Sequence, residues 1–392
     1  MDILAYLPEE IHLTYLKFLF ENCYVSFVIS SQTNKKYYKL TSYVALQLDP
    51  KLTKHIKCED VAERGYLSIL KWVRSYKDCR WTGLTCIRAA QYGHLDVLKW
   101  ARSTGCKWSS EVCAMAALGG HLNILEWAYQ NGCEIGRDAG SNAARGGHLD
   151  ILLWLRRNKI SLYKVCDNAA LGGHLHILKW ARSNGYDWDE NTCAIAANKD
   201  HLDVLEYLRN NGCPWNRTTC ENAAMEGHLH VLQWVITNGC DIAHNRFFHN
   251  WVIITIIRNG HFEVFKWICD NNLNEPICEM ICCEIARAGN LEMLQWARSR
   301  GFPWDESTCQ NAVHNGHINV FVWAIENGCP DVSHVKHIRY MRFNCPDLHI
   351  LIRKYGNDTS DVTREKFIDI CKEYIKTNEY KEFKKNIENK KN

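Results

Sequence analysis

Gly120-His121-Leu122, with Trp127 seven residues after its glycine, is the stretch around which the chain can be read. With that glycine as zero, the same place falls at Gly65, Gly93, Gly120, Gly147, Gly173, Asp200, Gly227, Gly260, Gly289 and Gly316. The steps are 28, 27, 27, 26, 27, 27, 33, 29 and 27 residues, so ten copies cover roughly residues 58 to 330. Self-similarity at one fixed period of about 20–50 residues marks a solenoid or repeat array. Each unit then contacts its neighbours, and the stack grows in one dimension.

Within a unit the residue types follow helical spacing. Cysteine at −7 with alanine at −4 and −3, as in Cys193, Ala196 and Ala197, makes a narrow small-residue stripe on a first helix, helix A. Ser109, Asp189, Asn216 and Asp305 each follow a tryptophan and are placed to cap helix A. The pivot glycine ends helix A where the chain must reverse, which calls for a residue that tolerates positive φ. Helix B follows, with an apolar arc at +4, +5, +7 and +8 (Val97, Leu98, Trp100 and Ala101 after Gly93). Tryptophan holds +7 in nine units and Tyr207 in the tenth, so this aromatic is expected to be inter-repeat core rather than a binding platform. Glycine at +12 (Gly105, Gly132, Gly185, Gly212, Gly239, Gly301 and Gly328) ends helix B by the same logic. The fold class expected is an all-α solenoid of about ten stacked helix–turn–helix repeats.

The ten-residue run Ala89-Ala90-Gln91-Tyr92-Gly93-His94-Leu95-Asp96-Val97-Leu98 resembles the ankyrin repeat. These units are about six residues shorter than the ~33 of that family and have Thr-Cys in place of Thr-Pro-Leu-His, so long β-hairpin tips are not expected. The resemblance implies a protein-interaction scaffold rather than an enzyme. Cysteine-rich, tryptophan-containing arrays of this kind also resemble proteins of large DNA viruses of amoebae, which implies the host cytoplasm.

Residues 1–57 do not repeat. Leu7-Pro8-Glu9-Glu10-Ile11, then a helical spacing that includes Leu16 and Leu19, then Lys35-Lys36-Tyr37-Tyr38-Lys39, resembles an F-box. That resemblance implies a substrate adaptor for a cullin–RING ubiquitin ligase, with Leu7, Pro8, Ile11, Leu16 and Leu19 against a Skp-type linker. The alternative is a helical cap on the first repeat, leaving a scaffold or decoy. The 33-residue step inserts His244-Asn245-Arg246-Phe247-Phe248-His249 before the repeat of Gly260, and inserted loops often carry function. Residues 331–356 read as a degenerate capping repeat, and 357–392 as a loose, solvated charged helix or tail.

Composition removes several functions. A net charge of +3 from 47 basic and 44 acidic residues argues against nucleic acid or a membrane surface as partner. The opening residues lack a basic segment before an apolar run, so no signal peptide is read and a cytoplasmic, monomeric protein is expected. The 20 cysteines mostly follow the repeat, eight of them at −7 and five at +13, and are read as small buried hydrophobes. Eight histidines at +1 stand one repeat apart, too far to converge on a metal; the ankyrin resemblance implies instead turn histidines bonded to neighbouring backbone. No nucleophile elbow, phosphate loop or metalloprotease motif appears, and no cofactor or metal is expected. A protein target should be recognised where the repeat leaves residues free. Position −2 varies most, and Leu118, Arg145, Leu171, Met225, Arg258 and Arg287 are its candidates, the apolar three as exposed side chains. The turn tryptophans Trp108, Trp188, Trp215 and Trp304 are a second candidate set, or simply staples.

Overall fold

The computed structural model describes residues 57–67, 70, 71, 74, 82–240, 248–273, 280–330, 364–378, 380, 381 and 385. Every regular element among them is a helix, and helices A and B alternate as the period requires. In the repeat of Asp200, for example, helix A is Glu190–Asn198 and helix B is Leu202–Asn210. The described residues form two compact units, one ending at Ala116 but including Asn123–Glu134, the other comprising Ala117–Leu122 and everything from Ile135 onward. In the first, Cys58–Glu63 packs on Gly83–Gln91, and Gly83–Gln91 on its own helix B, Leu95–Ser103. In the second, successive helices A pack on one another from Asp138–Gly146 through to Glu306–His314. Both have the stacked helix–turn–helix build of the all-α solenoid class.

The helix starts are where the capping residues stand. Asp189 accepts from Asn191 N–H at 2.9 Å and shares a capping box with Thr192. Asn216 accepts from Thr218 N–H at 2.9 Å, Asp305 from Ser307 N–H at 3.0 Å, and Ser109 from Glu111 N–H at 3.4 Å. Each such bond satisfies one of the donors that a helix start leaves open, worth about 1 kcal/mol.

The core is made by −7, −4 and −3 from helix A and by +4, +5 and +8 from helix B. Cys193, Ala196, Ala197, Val204, Leu205 and Leu208 are all fully buried. The +7 aromatics are not part of it. Trp100, Trp127, Trp154, Trp180, Tyr207, Trp234, Trp267, Trp296 and Trp323 are all half-buried, which corrects the expectation of a core tryptophan. Their place is the rim, edge-on to the turn tryptophan that precedes helix A of the same repeat: Trp108–Trp127 5.6 Å, Trp188–Tyr207 6.2 Å, Trp215–Trp234 5.9 Å and Trp304–Trp323 5.9 Å between ring centroids. An arginine at +9 covers the other side of each turn tryptophan, with Arg102, Arg182, Arg209 and Arg298 at 4.5, 4.6, 4.0 and 4.1 Å from the ring centres. The turn tryptophans are therefore staples, each gaining about 0.5–1 kcal/mol from its cation and a similar amount from its aromatic neighbour.

The pivot glycines have φ from +71° to +85°, and Asp200, the one exception, has φ +65°. A second demand falls on the same residue. A β-carbon on Gly147 would stand 2.8 Å from the imidazole of His174, because the histidine of the following repeat lies across the pivot.

Two features lie apart from the array's period. Phe248, at the end of the inserted loop, is fully buried and its N–H donates to Leu273 O at 2.7 Å. Residues 241–247, like the proposed F-box and the degenerate repeat at 331–356, lie outside the described residues. In the stretch read as a loose tail, the helix Arg364–Tyr374 is instead docked on Ile318–Glu326, the last described helix B. Phe367, Ile370, Cys371 and Tyr374 make a buried stripe at i, i+3, i+4 and i+7, with Phe367 5.7 Å from the Phe321 ring and Tyr380 Oη donating to Asn319 Oδ1 at 2.9 Å.

The two demands on the pivot can be separated by urea unfolding of the full chain. Gly185→Ala meets only positive φ (+79°) with open space around the new carbon, whereas Gly147→Ala meets φ +81° and the His174 ring. We expect Gly185→Ala to cost about 1 kcal/mol and Gly147→Ala about 2–3 kcal/mol; equal losses would remove the ring from the account.

Candidate partner-binding surface

Five of the +1 histidines connect their repeat to the one before through the backbone carbonyl of position −2. His94 Nε2 lies 3.0 Å from Glu63 O, His148 Nε2 3.1 Å from Leu118 O, and His174 Nε2 3.0 Å from Arg145 O. His228 and His317 do the same to Asn198 O at 3.0 Å and Arg287 O at 3.1 Å. A carbonyl only accepts, so Nε2 carries the proton and donates. These are backbone-bonded turn histidines, as the resemblance implied, and they hold the last turn of the helix A they meet in register. At Asp200 the pivot carboxylate also faces two rings of the next repeat, His228 Nδ1 and His230 Nε2, each at 3.3 Å.

With the backbone at −2 held, the side chains divide into two groups. Arg258 and Arg287 are spent on the neighbouring repeat. Arg258 Nε pairs with Glu284 Oε2 at 2.8 Å, and Arg287 Nε donates to Asn311 Oδ1 at 3.0 Å while its Nη1 lies 3.8 Å from Glu284 Oε1. Glu63 and Arg88 pair at 3.7 Å in the same −2 to −5 relation. Leu118, Leu171 and Met225 are half-buried, not exposed as their variability suggested, because closely packed helices A leave little of this face fully open. Arg145 is exposed, and its side chain forms no hydrogen bond or ion pair among the described residues.

The most exposed large apolar side chains lie elsewhere, at the first turn of helix A. Leu84, Trp251 and Met280 occupy −9 and are 47%, 52% and 53% exposed, and Tyr163 at −10 is 58% exposed. The same −9 place is polar in Glu111, Asp138, Asn191, Thr218 and Ser307, so Trp251 and Met280 break a pattern visible in the sequence alone. They stand at equal places on consecutive, mutually packed helices A, Asn250–Arg258 and Met280–Ala288. Residues −9 and −2 are seven apart and share one helix face. One surface therefore carries Trp251 and Met280 at one end and the Arg258–Glu284–Arg287 cluster at the other. Tryptophan and arginine are the side chains most enriched where proteins bind one another.

Among the described residues no three histidine, cysteine or acidic side chains converge on a metal-sized point. Of the one local cysteine cluster, Cys282 is buried and directed at Phe302 O, and Cys283 Sγ accepts from Asn311 at 2.9 Å. No described helix is long and apolar enough to cross a membrane.

No family model matches the chain, and no curated protein matches it. Among solved structures, the ankyrin repeat domain of human ASB11 matches at 19% identity, covering 41% of this chain and 85% of that one, with a TM-score of 0.33.

The histidine connections make the surface acid-sensitive. Burial depresses His174 and His261 below the usual imidazole value of 6.5. A depressed base contributes stability that is present above the unfolded-state value and lost as pH falls, since the unfolded chain takes up the proton first. The urea midpoint should therefore drop between about pH 7 and pH 5. Asn290 occupies +1 in its own repeat and accepts from Met293 N–H at 2.9 Å, so asparagine is compatible with this place. His261→Asn should accordingly reduce the drop. An unchanged pH profile in that variant would assign the acid sensitivity to other groups.

Proposed function

We propose that this chain is a non-enzymatic protein-interaction module whose target docks on the helix A face, centred on Trp251 and Met280. The observation that carries the reading is the exposure of both side chains, on two adjacent helices A, at a place that is polar in Glu111, Asp138, Asn191, Thr218 and Ser307. Exposed apolar side chains grouped on one face mark an interaction site, and Arg258 and Arg287, held by the buried Glu284, supply a polar rim that orients the target. The row at −2, with Leu118, Arg145, Leu171 and Met225, extends the same face across the preceding repeats of the second unit. In this reading Arg258 and Arg287 serve the target through the cluster they form.

The N-terminal segment gives the module its output. Residues 1–57 act as an F-box, with Leu7, Pro8, Ile11, Leu16 and Leu19 against a Skp-type linker, and the chain presents its target to a cullin–RING ubiquitin ligase in the cytoplasm. The support is the Leu-Pro-Glu-Glu-Ile run and the leucine spacing that follows it.

Pull-down with purified Skp-type linker tests the second part, comparing the full chain with Leu7→Ala/Pro8→Ala and with a chain lacking residues 1–57. Capture by the full chain alone, with the array still folded by circular dichroism in both variants, is expected. No capture by the full chain leaves a scaffold whose first segment only caps the stack. For a target so captured, Trp251→Ala should weaken affinity by about tenfold or more, as for an interface anchor. Ser307→Ala, at the same place in another repeat, should leave it unchanged.

A further inference from the structure

Several repeats bring two buried thiols into contact at one end of the helix pair. Cys86 lies beside Cys106, Cys113 beside Cys133, Cys213 beside Cys193, and Cys220 beside Cys240, whose carbonyl oxygen is 4.0 Å from the Cys220 sulfur. Each pair joins −7 of helix A to +13 after helix B of the same repeat, 20 residues apart in sequence. Cys309 and Cys329 occupy the same two places in the last repeat, both buried. The +13 sulfur is further located by the residue before helix A: Cys133 to Ser109 O, Cys213 to Asp189 O, Cys240 to Asn216 O and Cys329 to Asp305 O, all at 3.3 Å. Two repeats have a cysteine at −7 and an aromatic residue at +13, so that Cys166 and Cys282 reach only the carbonyls of Tyr186 and Phe302, at 3.9 and 3.8 Å. At the −7 place of the first repeat, Cys58 is disulfide-bonded.

Packing explains a small sulfur at either place, but it does not require sulfur against sulfur. Two thiols held together across a 20-residue loop are the reduced form of a cystine. We propose that the five −7/+13 cysteine pairs are dithiol sites that react with a low-molecular-weight disulfide of the glutathione class and close their repeats with internal cystines. The +13 cysteine follows an exposed turn glycine (Gly105, Gly132, Gly212, Gly239 or Gly328) and is the sulfur that local opening of the turn uncovers first. Its thiol gives a proton to solvent, and the thiolate attacks one sulfur of the oxidant. The oxidant's S–S bond breaks, and its other half leaves as a thiolate and takes up a proton. The −7 thiol then loses its proton and attacks the +13 sulfur of the mixed disulfide, releasing the second half as a thiol. One oxidant disulfide is reduced to two thiols, and two protein thiols are oxidised to one cystine.

The closed thiols are slow to react in the unopened fold. The neighbouring thiol and burial push Cys86, Cys113 and Cys220 at −7, and Cys213 at +13, well above the ordinary thiol range. The neighbouring thiol instead lowers Cys106 and Cys133 at +13, so in those two repeats the +13 sulfur is the readier thiolate and its burial is what delays reaction until the turn opens. Cyclisation of each repeat restricts the unfolded chain without adding a contact to the folded surface.

The full chain, incubated with oxidised glutathione in a series of urea concentrations below its unfolding midpoint, is alkylated and mapped by mass spectrometry. The expected products are the links Cys86–Cys106, Cys113–Cys133, Cys193–Cys213, Cys220–Cys240 and Cys309–Cys329, with the mass falling by two hydrogens per pair. Cys166 and Cys282 should stay out of every internal link, and Tm should rise by several degrees and return on reduction. Cys240→Ser should remove the link at Cys220 and leave the other four. Free thiols or glutathione adducts at all ten positions throughout the series, or links formed in other pairings, would overturn the proposal.

Discussion

Everything in this array depends on one crossing: an imidazole laid over a backbone that has turned left-handed. The pivot adopts positive φ to end helix A, and the ring of the following repeat occupies the space where a side chain would begin. From there the ring donates to a carbonyl of the helix A it crosses, as His174 does to Arg145 O. A helix end with an unsatisfied carbonyl, a chain reversal and an inter-repeat contact are thus settled by two residues, Gly and His, one period apart. Asp200 shows what an exception requires. It keeps the left-handed backbone at φ +65°, and its carboxylate meets the two rings that a glycine would have left it without.

The periodic positions were legible because they repeat the same physical demand ten times. Capping residues after a tryptophan, glycine at both turns, and the alanine–cysteine stripe each stand where the sequence places them. What misled was amphipathicity. A tryptophan at +7 lies on the apolar arc of helix B and reads as core, yet indole is large, and only Val, Ile, Leu, Met, Phe and Ala at +4, +5 and +8 fit between the repeats. The ring is displaced to the rim, where the turn tryptophan and its arginine hold it. The partner of such a ring lies about twenty residues away in another turn, which a helical-spacing argument does not reach.

The interaction face was legible only in part, for a related reason. Variability at −2 identified a face but not the state of its side chains, since an arginine in the sequence says nothing of whether a neighbouring glutamate has claimed it. Glu284, with a side chain only 5% exposed, claims Arg258 and stands near Arg287. The stronger signal was the break in a polar column, Trp251 and Met280 among Glu111, Asp138, Asn191, Thr218 and Ser307. Reading it required looking for apolar residues where the repeat asks for polar ones, and not for variability itself. The N-terminal five, Leu7, Pro8, Ile11, Leu16 and Leu19, rest on sequence resemblance alone.

The helix Arg364–Tyr374 has a consequence beyond its own packing. A stack built by adding equal units has ends that look like its middle, and an uncovered end is a surface onto which the first repeat of another copy fits. Here Phe367 packs on Phe321, and Lys372 reaches across to Glu326 at 2.8 Å, so the last described helix B meets a charged, non-repeating segment. A segment whose mixed charge makes it look like mere tail therefore covers part of the last described helix B.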